Sequence, residues 1–269
     1  MKPPMPYAGG KQRVATAIAN LLPPHRHYVE PFAGALSVLL AKPVSPLETV
    51  NDINGDIVTF WRVLRDRPAE LERMCALTPH SRAELRASQK AEPADELERA
   101  WRVWVQLTQC RGASLDARKS SGWRYIQGGG NKLSLARYLD GYLARIAPAA
   151  DRLRQVSLEC RDAFDVIAEY GRPDACLYVD PPYLAATRNS RVYRHEMGDQ
   201  ESHERLLAAL LATPAAVVLS GYASPLYDEA LTGWQRHEFA AVDQRGNARR
   251  EVVWINRSST SDLLTEESA

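Results

Sequence analysis

The chain has 269 residues, 45% apolar and 25% charged, with a formal net charge of +1. That composition suits a globular protein of one large or two small domains with a substantial core, and it excludes a globally basic chain, so any nucleic-acid surface must be local. Cys75, Cys110, Cys160 and Cys176 form no CxxC pair and no zinc-ligand spacing with histidine, so four reduced core thiols in a cytoplasmic protein are expected.

The N-terminal MKPPMPYAGGKQR has no apolar segment fit for a signal peptide. No apolar run approaches the roughly 18 residues of a membrane helix. HYVEPFAG (27–34) reads as a strand ending in a turn, ALSVLLAK (35–42) as a short helix, ETVNDIN (48–54) as a second strand and GDIVTFWRVLRD (55–66) as an amphipathic helix. This βαβα opening predicts a parallel sheet.

From Arg67 the pattern changes. PAELERMCAL, SRAELRASQKA and ADELERAWRVWVQLTQ are helical and charge-rich, and residues 110–134 are rich in Gly, Ser, Lys and Arg. A further helix, LARYLDGYLARIAPAADRL, leads back to strands QVSLECRD, ACLYVD and AAVVLSGY, and WQRHEFAAVDQRGNARREVVWIN reads as two strands joined by a basic loop. An α/β core formed by 1–66 and 151–269 thus carries a helical insertion at 67–150. Trp101 and Trp104, three residues apart on a helix, read as insertion core. His25 and His27 read as surface or cap residues.

Ligands of open α/β sheets lie beyond the carboxyl ends of the strands. Three such ends carry polar signals here: Gly34, Asp52 and Asp180. Gly34 is either a turn glycine or a place of close backbone approach to a ligand. Asp52 suits the two hydroxyls of a ribose, or caps the next helix. A dinucleotide turn wants GxGxxG, whereas FAGALS has one glycine, with Leu36 at the position where a phosphate needs room. A nucleoside without phosphate fits better, and S-adenosylmethionine (SAM) is such a ligand.

In CLYVDPPYLAATR (176–188) an apolar strand stops at a carboxylate, two prolines and an aromatic ring. The prolines fix the backbone so that its carbonyls are aimed. Asp180 adds a second acceptor, and Tyr183 offers a flat face for a base. Together they suit an exocyclic amine on a planar heterocycle. A strand end plus turn would explain one proline and not the set.

At these residues the sequence resembles the α-class DNA adenine (N6) methyltransferases of the Dam-like family, over nearly the whole chain. YAGGK (7–11), VEPFAGALSVLL, VNDIN, CRDAF (160–164) and DPPY follow the family's order, and YRHEM and SGYASPLYDE are most similar to its phage and prophage branch. The resemblance implies a Rossmann-like SAM-dependent methyltransferase sheet with helices on both faces, plus a mainly helical target-recognition insertion. It implies SAM binding by Tyr7, Gly9, Gly10, Lys11, Phe32, Gly34, Asp52, Asp162 and Asp180. It implies catalysis by Asp180, Pro181, Pro182 and Tyr183 on a flipped adenine of double-stranded DNA, with no metal, no membrane and a monomer, and a restriction-modification or other DNA-methylation role.

The family has a second glycine where this chain has Leu36, whose side chain either points away from SAM or narrows the site. Arg111, Arg118, Lys119, Arg124 and Lys132, interleaved with Trp123 and Tyr125, read as a DNA grip, as do Arg188 and Arg191 after DPPY, against the alternative of solvated loops. Methylation of cytosine's exocyclic amine is the enzymatic alternative, although that family usually has Ser before PPY. A non-catalytic DNA-binding relative is the other, with Leu36 as its only support.

Overall fold

The computed structural model describes residues 1–90, 92–113, 115, 122–125, 134–184, 197–242 and 248–257. In chain order the elements are α1 (Ala15–Ala19), β1 (His27–Glu30), α2 (Ser37–Ala41), β2 (Leu47–Asn51), α3 (Gly55–Asp66), α4 (Pro68–Ala76), α5 (Arg82–Ser88), α6 (Glu96–Gln109), α7 (Leu135–Leu143), α8 (Ile146–Leu153), β3 (Val156–Glu159), α9 (Ala163–Tyr170), β4 (Ala175–Val179), α10 (Gln200–Ala212), β5 (Ala216–Gly221), α11 (Pro225–Ala230), β6 (Gln235–Val242) and β7 (Ala248–Ile255).

The strands make one seven-stranded sheet in the order β3-β2-β1-β4-β5-β7-β6. The first five of these strands run parallel, and β7 pairs antiparallel with both β5 and β6. Every residue of β4 and β5 is buried, as continuous apolar strands covered on both faces require. Strand order reverses between β1 and β4, which makes their carboxyl ends the switch point where a crevice opens.

Alternation along the strands divides the core. Tyr28, Cys176, Tyr178, Val218 and Val253 face one cluster, covered by α1–α4, α6 and α8. Val29, Leu177, Val179, Leu219 and Trp254 face the other, covered by α9–α11. Helices therefore lie on both faces. Residues 67–150 fall within the β2-to-β3 crossover, and α6 packs on α3 of the core, so the two share one apolar cluster.

Local chemistry accounts for the helix starts. Asn54 caps α3 by accepting the Asp56 N–H, and Asp95 caps α6 by accepting the Glu98 N–H while Glu98 reaches back to the Ala94 N–H. Trp104 is buried and donates its indole N–H to the Pro4 carbonyl at 3.2 Å. Trp101 packs beside the same cluster. Burying an aromatic of this size stabilises by a few kcal/mol at about 25 cal/mol per Å².

The four-thiol expectation needs one correction: Cys75, Cys110 and Cys176 are buried, but Cys160 is exposed, because it follows the last residue of the edge strand β3. No helix among the described residues is long and apolar enough to cross a membrane.

Candidate active site

A cavity of about 520 Å³ opens at the switch point. Tyr7, Gly9, Gly10, Lys11, Phe32, Gly34, Asp52, Asp162 and Asp180 all line it, so the structure brings together every residue of the sequence-predicted cofactor set. Its size falls within the range of small-molecule sites.

The turn after β1 is built for close approach. Gly34 has φ +45°, and a Cβ there would lie 3.0 Å from the Tyr7 ring. Trp61 on α3 donates its indole N–H to the Gly34 carbonyl at 2.9 Å, and Asp52 accepts the Gly34 N–H at 2.9 Å. The other Asp52 oxygen accepts the Asn54 N–H at 2.9 Å. Asp52 thus ties the turns after β1 and β2 together, while Asn54, and not Asp52, caps α3.

Leu36 also sits in the left-handed region, at φ +52°, but its side chain is fully buried in the apolar cluster and does not line the cavity. The alternative that it narrows the site is therefore overturned: the backbone turns its side chain under the sheet. Glu30, Asp52, Asp162 and Asp180 line the cavity against Lys11 and Arg205. Arg205 stacks over the Phe164 ring at 4.8 Å. With Asp180 paired to Lys11 and Glu30 carrying its proton near neutrality, Asp52 and Asp162 remain as acceptors for the hydroxyls and amine of a nucleoside such as SAM.

Asp180 ends β4 and Pro182 lines the cavity, whereas Pro181 is buried behind it. Lys11 places Nζ 2.8 Å from both Asp180 oxygens and donates to the Gly9 carbonyl at 2.8 Å. Burial pushes the Asp180 carboxyl above the usual range, and the Lys11 ammonium opposes that shift. Tyr183 has Lys11 Nζ 4.8 Å from its ring centre and the Tyr222 ring edge-on at 4.6 Å. Its hydroxyl donates to Glu251 Oε1 at 2.5 Å. Burial raises the Tyr183 phenol far above its ordinary value.

Two acids here escaped the sequence reading. Glu30 accepts both the Tyr28 hydroxyl at 2.6 Å and the Leu39 N–H at 2.8 Å, and burial pushes its carboxyl up to about 8. Glu251, on β7, is pushed up to about 7 by burial. The available signal was a carboxylate at one end of an apolar run, YVE in one case and EVVWI in the other.

In the β2-to-β3 crossover, a bridge pairs Cys110 with Trp123. Arg111 is exposed, while Arg124 donates to the Cys110 and Arg111 carbonyls at 3.3 and 3.1 Å and lies over the Tyr138 ring at 5.4 Å. Arg118, Lys119, Lys132, Arg188 and Arg191 lie outside the described residues.

The sheet order and the switch-point cavity are those of an α/β enzyme that holds a small ligand at its strand ends. The model of the D12 class N6 adenine-specific DNA methyltransferases matches residues 7–92 and 131–242. The chain belongs to that family. It is similar to a DNA adenine methylase of Serratia marcescens, with 23% identity over 96% of this chain and 95% of the relative. It is also similar to the type II methyltransferase M.MjaIII of Methanocaldococcus jannaschii, with 23% identity over 71% and 72% of the two chains. The chain is also similar to a solved SAM-dependent methyltransferase from Agrobacterium tumefaciens, over 91% of this chain and 60% of that one, at 12% identity and a TM-score of 0.36. The enzyme transfers a methyl group from SAM to the N6 amine of adenine in DNA. That decides against cytosine and against a non-catalytic relative, whose only support had been Leu36.

Proposed function

We propose that Asp180, Pro181, Pro182 and Tyr183 form the target-base pocket, and that the nine cavity residues predicted from sequence hold SAM. The observation that carries this reading is the position of Asp180 at the end of β4, in the wall of the cavity that also holds the Gly34 turn and Asp52. Tyr7 and the glycines would cradle the cofactor, Asp52 would meet the ribose hydroxyls, and Asp162, which caps α9 at the cavity wall, would lie near the adenine.

SAM supplies an electrophilic methyl group on a sulfonium. Asp180 and the Pro181 carbonyl accept the hydrogens of the target amine, pull its nitrogen towards tetrahedral geometry and free its lone pair for attack. The carboxylate also favours the positive charge that develops on that nitrogen, an electrostatic effect prepared before reaction. Tyr183 stacks on the base and fixes its plane, and much of the remaining rate enhancement is positioning.

A paired adenine cannot reach such a pocket, so the base is flipped out of the duplex. Residues 67–150 form the target-recognition unit in this reading. In support, positions 93–130, with four of the basic candidates, fall between the two blocks that the family model matches. Action as a monomer, in the cytoplasm where DNA and SAM meet, belongs to the same reading. The sequence likeness to the phage branch and the type II relative support a restriction-modification or prophage role.

The test is Asp180→Ala. Loss of one aimed acceptor costs about 10²–10³ in rate. Radiolabelled methyl transfer to DNA by the folded variant should fall by that factor, and near-parental turnover would sink the assignment.

A further inference from the structure

We propose that Glu251 is a positioning residue for methyl transfer: it draws Lys11 away from Asp180 as the target amine arrives, and so restores Asp180 as a full acceptor for that amine. The inference rests on the reading of Asp180 as the amine's acceptor.

The structure poses the problem directly. Both Asp180 oxygens already face Lys11 Nζ at 2.8 Å. A carboxylate that bridges a full cation is a weakened acceptor for a neutral amine, since its charge is already matched. Lys11 must therefore yield if Asp180 is to polarise the amine.

Glu251 is where it can go. Strand alternation places Glu251 on the same sheet face as Val253 and Ile255, the face that also carries Tyr178. Its side chain is only 6% exposed, and Oε1 lies 3.7 Å from Lys11 Nζ, about 1 Å beyond hydrogen-bond length. Lysine's flexible stem covers that distance readily. Passing a cation from one buried carboxylate to the next leaves the net charge of the site unchanged: the unmatched carboxylate shifts from Glu251 to Asp180, where the hydrogens of the arriving amine meet it.

The groups facing Glu251 are Lys11 from the N-terminal segment and Asp180, Tyr183 and Tyr178 from β4 and its end. Glu30, at the end of β1, acts on Asp180. On β6 the partner in register is the non-ionisable Phe239. With its carboxyl pushed up to about 7, Glu251 changes charge near neutrality, and only the ionised form can attract Lys11.

Glu251→Gln keeps the shape and an acceptor for the Tyr183 hydroxyl but removes the charge. Single-turnover transfer at pH 8 should fall at least tenfold, with SAM affinity within twofold of the parent. The parent's rate should climb between pH 6 and 8 with a midpoint near 7, and the variant should lack that limb. Tyr183→Phe loses the hydroxyl anchor but keeps the Glu251 charge, so it should keep the limb. If Glu251→Gln shows the parental rate and pH profile, or matches Tyr183→Phe with the limb retained, Glu251 at most anchors the tyrosine and the proposal is overturned. Asp180→Asn separates the two readings. If that variant is active, the base-pocket assignment itself fails; if it is inactive while Glu251→Gln is parental, only the present inference fails.

Discussion

Asp52 accepts the backbone N–H of Gly34, 18 residues earlier, at 2.9 Å, and with its other oxygen the N–H of Asn54 at 2.9 Å. One carboxylate thus holds the turns after two neighbouring parallel strands in register at the mouth of the cavity. A residue proposed to bind ribose also shapes the loop on which the cofactor rests.

Replacing Asp52 should therefore act twice. Asp52→Ala leaves two backbone donors without this partner, at about 1–3 kcal/mol each where water cannot replace it. Thermal unfolding should begin several degrees lower, and calorimetric SAM affinity should drop at least tenfold. Asp52→Asn, which keeps one acceptor oxygen, should fall between the two. Unchanged SAM affinity in both variants would leave Asp52 a purely structural clamp.

Leu36→Gly sets strain against packing. A left-handed leucine costs about 1–2 kcal/mol of backbone energy, which glycine removes. Emptying a fully buried leucine site costs about 2–5 kcal/mol. The variant should be net less stable, with Tm lower by several degrees, while SAM affinity stays at the parental value because the side chain does not line the cavity. A large change in affinity with Tm unchanged would contradict that placement.

Glu30 gives a pH signature. Its folded-state value of about 8 stands above the ordinary 4.5, so the stability linked to its proton is present below the unfolded value and lost as pH rises through about 8. Glu30→Gln removes that titration. Between pH 5 and 8.5 the parent's Tm should fall relative to the variant's. Parallel Tm curves would mean that Glu30 titrates as an exposed acid.

In the β2-to-β3 crossover, Arg111 and Arg124 should behave differently. Arg111→Ala, at an exposed position, should leave Tm unchanged and lower the log–log salt slope of DNA affinity by about 0.9, the effect of one lost phosphate contact. Arg124→Ala should lower Tm as well, since its guanidinium holds two backbone carbonyls and covers Tyr138. Fluorescence anisotropy against salt distinguishes them, and a parental slope for Arg111→Ala would return it to the solvated surface.

Much of this was legible along the chain. The alternation of apolar strands with amphipathic helices fixes a parallel α/β core, because a strand buried on both faces must read as AVVLSG or ACLYV. The strand ends at Gly34, Asp52 and Asp180 mark the cavity, because a parallel sheet gathers its carboxyl ends on one edge. Local patterns also predict where helices begin, although the choice of Asn54 over Asp52 as the α3 cap rests on geometry two residues apart. What the chain could not disclose is what each polar group meets. Lys11 and Asp180 are 169 residues apart, and only the folded N-terminal segment sets one against the other. Glu251 reads as an ordinary residue of a late strand until β7 slots antiparallel beside β5 and buries its carboxylate beside Tyr183 and Lys11. Leu36 points into the core rather than the cavity because of a backbone φ of +52° that no side-chain pattern encodes. Hydrophobic period is written in consecutive residues and survives any context, whereas charge neighbourhoods arise only when distant segments are packed together, and the tertiary structure alone decides them.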